Sequence, residues 1–231
     1  MRSRDLDRYR REIGWRDAPL LDVAAAPAAP LAESGDLESL AREAAGCTRC
    51  RLAEQRRSVV FGEGDPRARV MFVGEGPGAE EDRTGRPFVG QAGALLDAMI
   101  FALGFERRQV YIANVVKCRP PGNRDPQDDE VTACAPYLDR QIALIRPLLI
   151  VALGKPAARR LTGSTAPISA LRGRWSSYLG IPVLPTFHPA YLLRTPLAKR
   201  EVWQDLKAVR TRLEELASGT GEPSTGSSPQ P

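Results

Sequence analysis

Four short apolar runs, each followed by a segment with helical character, constrain the fold of this chain more than any other feature. They predict strands at Arg69–Val73, Val110–Val116, Leu148–Leu153 and Ile181–Leu184. Helical signals surround them at Asp36–Ala45, Ala94–Leu103, Pro126–Ile145, Pro156–Leu161 and Ala198–Ala217. Apolar strands that alternate with helices predict a parallel sheet covered by helices, because both faces of such strands are buried. In these sheets functional loops follow the carboxyl ends of the strands.

The two ends of the chain differ in composition from its centre. Residues 1–35 mix charges with an Ala/Pro stretch, which predicts a flexible arm. Residues 218–231 are rich in Gly, Ser, Pro and Thr, which predicts a disordered tail. Residues 36–217 remain as one domain, long enough to bury a sizeable core.

The balance of charge and hydropathy indicates the kind of partner. The formal net charge is +5 and the pI is about 9.3, which favours nucleic acid or another anionic partner. No apolar run reaches the roughly 18 residues that a membrane span needs. The first residues lack the hydrophobic segment of a signal peptide. We therefore expect a cytoplasmic protein without a membrane partner, in which disulfides would be unusual.

The four cysteines need another explanation. Cys47 and Cys50 form a close pair, whereas Cys118 and Cys134 stand alone further along the chain. Four thiolates can close a tetrahedral zinc site or hold an iron–sulfur cluster. A structural zinc site more often shows two close pairs, which this chain lacks. Buried free cysteines are the alternative, and the spacing alone does not separate zinc from iron.

A glycine-rich turn, Gly74–Gly78, follows the first predicted strand. Such a turn lets the backbone approach a ligand, and it lacks the Gly-Lys-Ser/Thr ending of a nucleotide-phosphate loop. Glu75, between two of its glycines, is interpreted as a general base or as a group that stabilises positive charge. Phe88 lies in a loop bounded by glycines and is either a stacking platform or a core residue. Asn114 ends the second strand and could bind a cyclic imide edge or cap a turn.

The only histidine of the chain, His188, follows the fourth predicted strand. Pro189 and an apolar stretch that ends in Arg194 come directly after it. This combination suits a site that holds a small polar group beside a nucleic-acid backbone. A histidine with a purely structural role is the alternative interpretation.

In this order the segments resemble the family 4 uracil-DNA glycosylases, an iron–sulfur branch of a larger superfamily, over roughly Leu37 to Leu216. The motifs that carry the resemblance are Gly-Glu-Gly-Pro-Gly at 74–78, Gly-Arg-Pro-Phe-Val-Gly at 85–90, Asn-Val-Val-Lys-Cys-Arg-Pro-Pro at 114–121 and His-Pro-Ala-Tyr-Leu-Leu-Arg at 188–194. Each motif is weak alone, but the ordered set is specific, and the four-cysteine spacing also fits. The resemblance implies a three-layer α/β/α sandwich around a four-stranded parallel sheet. It also implies a 4Fe–4S cluster held by Cys47, Cys50, Cys118 and Cys134.

The resemblance further implies that uracil is flipped out of DNA into a pocket and that its N-glycosidic bond is hydrolysed. Phe88 would stack on the base and Asn114 would bind its imide edge. Glu75 and Gly76 would position the attacking water. His188 would donate a hydrogen bond to the carbonyl oxygen of the departing uracil anion.

Secondary roles follow from the same resemblance. Glu81 matches a further catalytic position, and Asn123 matches a further substrate-binding position. The side chains at Tyr191, Leu192 and Leu193 would enter the minor groove and fill the vacated stack. Arg194 would bind a phosphate. The expected partner is uracil-containing DNA, single- or double-stranded, bound by a monomer.

Two other classes of protein remain compatible with these features. A catalytically silent iron–sulfur DNA-binding module would keep the fold, but intact Glu75, Asn114 and His188 argue against it. A zinc-stabilised nucleic-acid hydrolase would need a catalytic ligand cluster, for which a single histidine is a poor basis.

Overall fold

A computed structural model describes residues 34–218, and a six-stranded mixed sheet forms its centre. The strands are β1 (Glu63–Gly64), β2 (Val70–Gly74), β3 (Tyr111–Asn114), β4 (Leu149–Leu153), β5 (Ser176–Tyr178) and β6 (Ile181–Thr186). Their order across the sheet is β1-β3-β2-β4-β6-β5. The predicted arm at 1–35, except for its last two residues, and the predicted tail, except for Ser218, lie outside the described residues.

The expected four-stranded sheet is wrong in its number of strands. The four predicted strands do lie at the centre and run parallel to one another, but β1 and β5 add antiparallel edges. These edge strands have only two and three residues. Strands this short, with polar sequences, carry no apolar pattern that would predict them.

Eight α-helices cover the sheet within the described residues. They are α1 (Ser34–Ala45), α2 (Ala79–Thr84), α3 (Gln91–Ala102), α4 (Asp128–Ile145), α5 (Lys155–Thr162), α6 (Ile168–Leu171), α7 (Pro189–Arg194) and α8 (Lys199–Ala217). The five long ones agree with the prediction to within three residues at each end, whereas α6 and α7, with four and six residues, were not predicted.

The helices lie on both faces of the sheet. Side chains alternate between the faces of a strand, and in β2 they enter two separate cores. Val70 and Phe72 pack with α3 and α8, whereas Met71 and Val73 pack with α1, α4 and α5. The result is a three-layer sandwich in which every residue of β2 and β4 is buried. No helix among residues 34–218 is long and apolar enough to cross a membrane.

The sheet brings distant segments together at one edge. Because β2, β3 and β6 belong to the parallel centre, their carboxyl ends emerge on the same side. Gly74 at the end of β2 lies directly opposite Asn114 at the end of β3. His188 follows β6 by two residues. The segments that contain the predicted site residues Glu75, Asn114 and His188 therefore meet at the place where ligands bind in such sheets.

Candidate active site and cysteine site

A pocket of about 400 Å³ opens at this edge of the sheet. That volume lies within the range of roughly 300–1,000 Å³ typical of small-molecule sites. Nine predicted site residues line it: Glu75, Gly76, Glu81, Phe88, Asn114, Asn123, His188, Tyr191 and Arg194. Leu192 and Leu193 are not among its lining residues.

Asn114 is the most buried polar residue of the pocket lining. The residue is 1% exposed, and its Oδ1 is buried without a hydrogen-bond partner in the structure. An acceptor in this condition costs about 1–3 kcal/mol when it is left unsatisfied. The arrangement therefore suits a ligand that brings an N–H group to this oxygen.

The absence of a side chain at position 74 permits this arrangement. A Cβ atom at Gly74 would lie 2.5 Å from Asn114 Oδ1 and 2.5 Å from Phe88 Cζ. Both distances are far below ordinary van der Waals contact. Glycine at this strand end therefore allows the amide and the aromatic ring to approach each other.

Phe88 forms one wall of the pocket. Its ring is stacked with that of His188, with centroids 5.5 Å apart and an interplanar angle of 29°. Its backbone has φ +50°, in the left-handed region that only a few per cent of non-glycine residues adopt. Phe88 is 6% exposed and packs in the core, as the alternative interpretation expected, and it also lines the pocket; its role as a stacking platform stays a prediction.

The carboxylate of Glu81 binds backbone amides of the glycine turn and of the loop that carries Phe88. It accepts hydrogen bonds from Gly78 N (3.1 Å), Val89 N (2.9 Å) and Gly90 N (3.0 Å). The first bond also caps α2 at its amino end. Glu81 thereby connects the glycine turn to the loop that carries Phe88.

His188 caps the amino end of α7, and its Nδ1 accepts a hydrogen bond from Ala190 N at 3.1 Å. An acceptor nitrogen carries no proton, so the proton of the neutral ring lies on Nε2. Burial, together with the charge of Arg194, lowers the pKa of His188 to about 4. The ring is therefore a neutral donor at physiological pH.

The pKa of Glu75 is shifted in the opposite direction from that of His188. Burial, together with the charge of Asp125, raises the pKa of Glu75 to about 7. A carboxyl group with this pKa suits proton transfer near neutral pH. Asp125 also lines the pocket, and it could not be predicted because a lone acidic residue in a loop carries no distinguishing pattern.

The α7 segment was predicted to present three DNA-facing side chains, and for Leu192 that expectation is wrong. Leu192 is fully buried in the core shared with α3 and α8, because α7 is a helix whose inward face includes this position. Leu193 is 44% exposed and Tyr191 is 37% exposed. Leu197, in the following 3₁₀ turn, is 81% exposed and was not predicted.

Arg194 and Asn123 occupy the rim of the pocket. Arg194 is exposed at the carboxyl end of α7. Asn123 has φ +55°, and its Oδ1 accepts a hydrogen bond from Arg119 Nε at 2.8 Å. The oxygen of Asn123, unlike that of Asn114, already has a protein partner.

The four cysteines line a second, smaller pocket on the face of the sheet that α1 and α4 cover, together with Tyr137 and Lys117. Arg56 Nη1 donates to Cys118 Sγ at 3.4 Å, and Lys117 N donates to Cys134 Sγ at 3.3 Å. Cysteine is the residue type that holds an iron–sulfur cluster, and two of these sulfurs also accept N–H donors. As the side chains stand, however, no group of three or more His, Cys, Asp or Glu within residues 34–218 is arranged to hold a metal ion.

A short segment connects the two pockets. Asn114 lines the first and Cys118 lines the second. Between them, the buried Lys117 folds back, and its Nζ donates to Asn114 O (2.9 Å) and to Gln141 Oε1 (2.5 Å). Lys117 therefore ties the end of β3 to α4, and the apolar pattern of the strand gave no sign of this role.

Comparison with known proteins agrees with this geometry. The family model of the uracil DNA glycosylase superfamily matches residues 61–207, a span that contains every residue of the first pocket. The chain therefore belongs to that superfamily.

Its place within the superfamily follows from individual relatives, all named type-4 uracil-DNA glycosylase. The relative from Sulfurisphaera tokodaii is 48% identical over 75% of this chain and 83% of its own length. The one from Saccharolobus solfataricus is 42% identical over 77% and 87%, and the one from Thermotoga maritima is 45% identical over 78% and 95%. The chain is thus a member of the type-4 group, as the resemblance of its motifs implied.

Proposed function

We propose that this protein is a DNA-repair enzyme that hydrolyses the N-glycosidic bond of uracil in DNA and leaves an abasic site. The observation that carries the proposal is the unpaired, buried Oδ1 of Asn114, which faces a pocket walled by an aromatic ring. The N3–H group of uracil supplies the missing donor, and its O4 accepts from the amide nitrogen of the same side chain. Cytosine has no proton at N3 and carries an amino group at position 4, so it leaves these groups mismatched. A site built on paired hydrogen bonds discriminates strongly against such analogues.

His188 stabilises the leaving group in this mechanism. As the bond between C1′ and N1 breaks, its electron pair passes to the uracil ring, and negative charge develops on the ring and its carbonyl oxygen. The Nε2–H of the neutral imidazole donates to that oxygen. A preorganised donor of this kind contributes most in the transition state, because it strengthens as the charge grows.

Glu75 completes the hydrolysis. In its ionised form it accepts a proton from water, whose oxygen bonds to C1′ as uracil leaves. Gly76 leaves the backbone close enough to help orient that water. Phe88 stacks on the flipped base, while Glu81 acts as a positioning residue for the Phe88 loop. Asn123 contributes to substrate binding at the rim.

The exposed side chains beside the pocket form the proposed DNA-binding surface. Tyr191 and Leu193 enter the gap left by the flipped base, and Arg194 binds a phosphate. The substrate is uracil in single- or double-stranded DNA, bound by a monomer in the cytoplasm. The net charge of +5 supports binding to a phosphate backbone.

Four cysteines, at positions 47, 50, 118 and 134, would hold the proposed 4Fe–4S cluster. Such a cluster, when bound, supplies a one-electron centre. The hydrolysis proposed here transfers no electron, so a bound cluster would act through its four cysteine ligands by cross-linking the segment after α1 to the segment after β3 and to α4. The support is their convergence on one pocket and the N–H donors to two sulfurs.

The test combines base release with metal analysis. The full chain is incubated with matched oligonucleotides that contain uracil, thymine or cytosine at one position, and free base and abasic sites are quantified. We expect release of uracil alone, because cytosine mismatches the Asn114 amide and the 5-methyl group of thymine would meet the pocket wall. We also expect bound iron and the visible absorption of thiolate-to-iron charge transfer. A folded, iron-loaded protein that binds the oligonucleotide but releases no uracil would instead support the catalytically silent DNA-binding module.

A further inference from the structure

We infer that Arg107 is a positioning residue that holds Phe88, and with it the stacking wall of the pocket, in its binding conformation. The inference rests on the proposed function, because it concerns how the pocket receives the base. Arg107 lies outside the pocket lining and in no motif of the resemblance. It belongs to a 3₁₀ turn, Arg107–Gln109, directly before β3.

The guanidinium of Arg107 spans two consecutive carbonyl groups. Its Nη2 donates to Pro87 O at 2.5 Å and its Nη1 donates to Phe88 O at 3.2 Å. The same Nη1 donates to Asp97 Oδ1 at 2.8 Å, and Nε lies 3.5 Å from Glu63 Oε1. The carboxylates of Asp97 and Glu63 therefore orient the guanidinium of Arg107 while it binds the backbone. Only a planar, multiply donating group can do this, and lysine offers a single point of attachment.

The other side of the same loop is held by Glu81. Its carboxylate binds the N–H groups of Val89 and Gly90, the two residues that follow Phe88. The Arg107 cation thus fixes the carbonyl groups of Pro87 and Phe88. The Glu81 carboxylate fixes the N–H groups of the two residues that follow. In addition, a Cβ at Gly93 would lie 1.9 Å from Phe88 O, so α3 packs directly behind the loop.

Phe88 needs this support because its backbone is left-handed. Such conformations in residues other than glycine persist where the surrounding structure over-determines them. The orientation of the Phe88 peptide in turn sets the position of the ring between Gly74 and His188. Arg107 thereby connects the stacking wall to the strand that ends in Asn114. Its own atoms contact neither the base nor the reacting bond.

The experiment uses free uracil as a probe, since it occupies the pocket without any phosphate contact. Arg107→Met removes the fork, Arg107→Lys restores one donor, and Arg108→Met is the matched control. Arg108 is the exposed neighbour, and among residues 34–218 its side chain binds Glu106 alone, through Nε at 2.6 Å. We expect Arg107→Met to weaken inhibition by free uracil by about tenfold, within the range for loss of base–aromatic stacking. We expect Arg107→Lys to recover part of this loss and Arg108→Met to match the parent protein.

A double-mutant cycle separates this role from general destabilisation. If Arg107 acts through Phe88, then Arg107→Met causes little further loss of uracil affinity or excision once Phe88→Ala is present. Additive losses would overturn the inference. So would a lower melting temperature for both Arg107 variants with unchanged uracil inhibition of the folded protein. If the parent protein releases no uracil at all, the proposed function fails first, whereas an active parent with additive losses contradicts only the role of Arg107.

Discussion

The Nδ1 atom of His188 accepts a hydrogen bond from the backbone N–H of Ala190, 3.1 Å away, at the first turn of α7. This contact fixes which ring nitrogen carries the proton. Because Nδ1 is occupied as an acceptor, Nε2 is left as the donor. The interaction that caps the helix therefore also sets the orientation of the imidazole that the proposed mechanism requires.

Replacing His188 by alanine tests the transition-state role of that donor. We expect His188→Ala to lower single-turnover excision by about a hundredfold or more, the usual cost of losing one preorganised donor. Affinity for uracil-containing DNA should change far less, because phosphate contacts dominate binding. Melting temperature and iron content serve as controls for the fold. A well-folded, iron-loaded variant with near-normal cleavage would remove His188 from the mechanism.

The pH dependence of excision reports on Glu75. It must be ionised to accept a proton, and its pKa is raised to about 7, so the rate should increase as the pH rises through that value. His188, with a pKa lowered to about 4, stays a neutral donor over the same range. Asp125→Asn removes a charge that raises the pKa of Glu75, so the increase should move to lower pH. The measurement is the ratio of single-turnover rates at about pH 6 and about pH 8.

Asp128→Asn is the matched control for this shift. Asp128 is an exposed carboxylate at the start of α4, bonded to Arg159, and its charge does not contribute to the raised pKa of Glu75. Its pH profile should equal that of the parent protein. An unchanged ratio in Asp125→Asn would show that the two pocket carboxylates do not interact.

Asn114→Asp probes recognition of the base. The substitution keeps the shape of the side chain but replaces a donor by a negatively charged acceptor that faces uracil O4. The loss of one hydrogen bond in a closed pocket costs about 1–3 kcal/mol, so excision should fall about tenfold or more. Single-turnover rates on a uracil-containing oligonucleotide measure the effect. Excision at the parent rate would mean that another group reads the imide edge.

Adjacent leucines of α7 should respond in opposite ways to truncation. Leu192→Ala leaves a cavity in the core and should lower the free energy of unfolding by about 2–5 kcal/mol. Leu193→Ala, on the exposed face, should change stability by no more than about 0.5 kcal/mol. It should instead impair excision from duplex DNA more than from single strands, because only the duplex needs its gap filled. Denaturant unfolding and paired excision assays distinguish the two. Equal loss on both substrates in Leu193→Ala would contradict a role in the groove.

Cys118→Ala tests the proposed cluster. Removal of one ligand should reduce bound iron and visible absorption, and it should lower the melting temperature in the same preparation. The two losses should occur together, because a cluster bound by the four cysteines would cross-link the segment after β3 to α4 and to the segment after α1. Elemental analysis for iron and zinc checks the result. A colourless parent protein with one zinc per chain would contradict the cluster.

The parallel centre of the sheet was predictable because strands buried on both faces are almost continuously apolar. The same reasoning placed Glu75, Asn114 and His188 at one edge of the sheet, since Asn114 ends such a strand and the other two residues follow one. It failed for Leu192, because a run of apolar residues does not show which side of a six-residue helix faces the core. The apolar pattern also gave no sign of the contacts of Arg107. Its partners are carbonyl groups about 20 residues earlier in the chain, and only the tertiary structure brings them together.

Position 74 limits how this pocket can evolve. Any residue other than glycine there would push against the amide of Asn114 and the ring of Phe88 at the same time. One substitution would thus displace the Asn114 amide and the Phe88 ring together. No side chain at position 74 would disturb one of them and leave the other in place. Changes in base preference must therefore come from the flanking positions, while the end of β2 stays fixed.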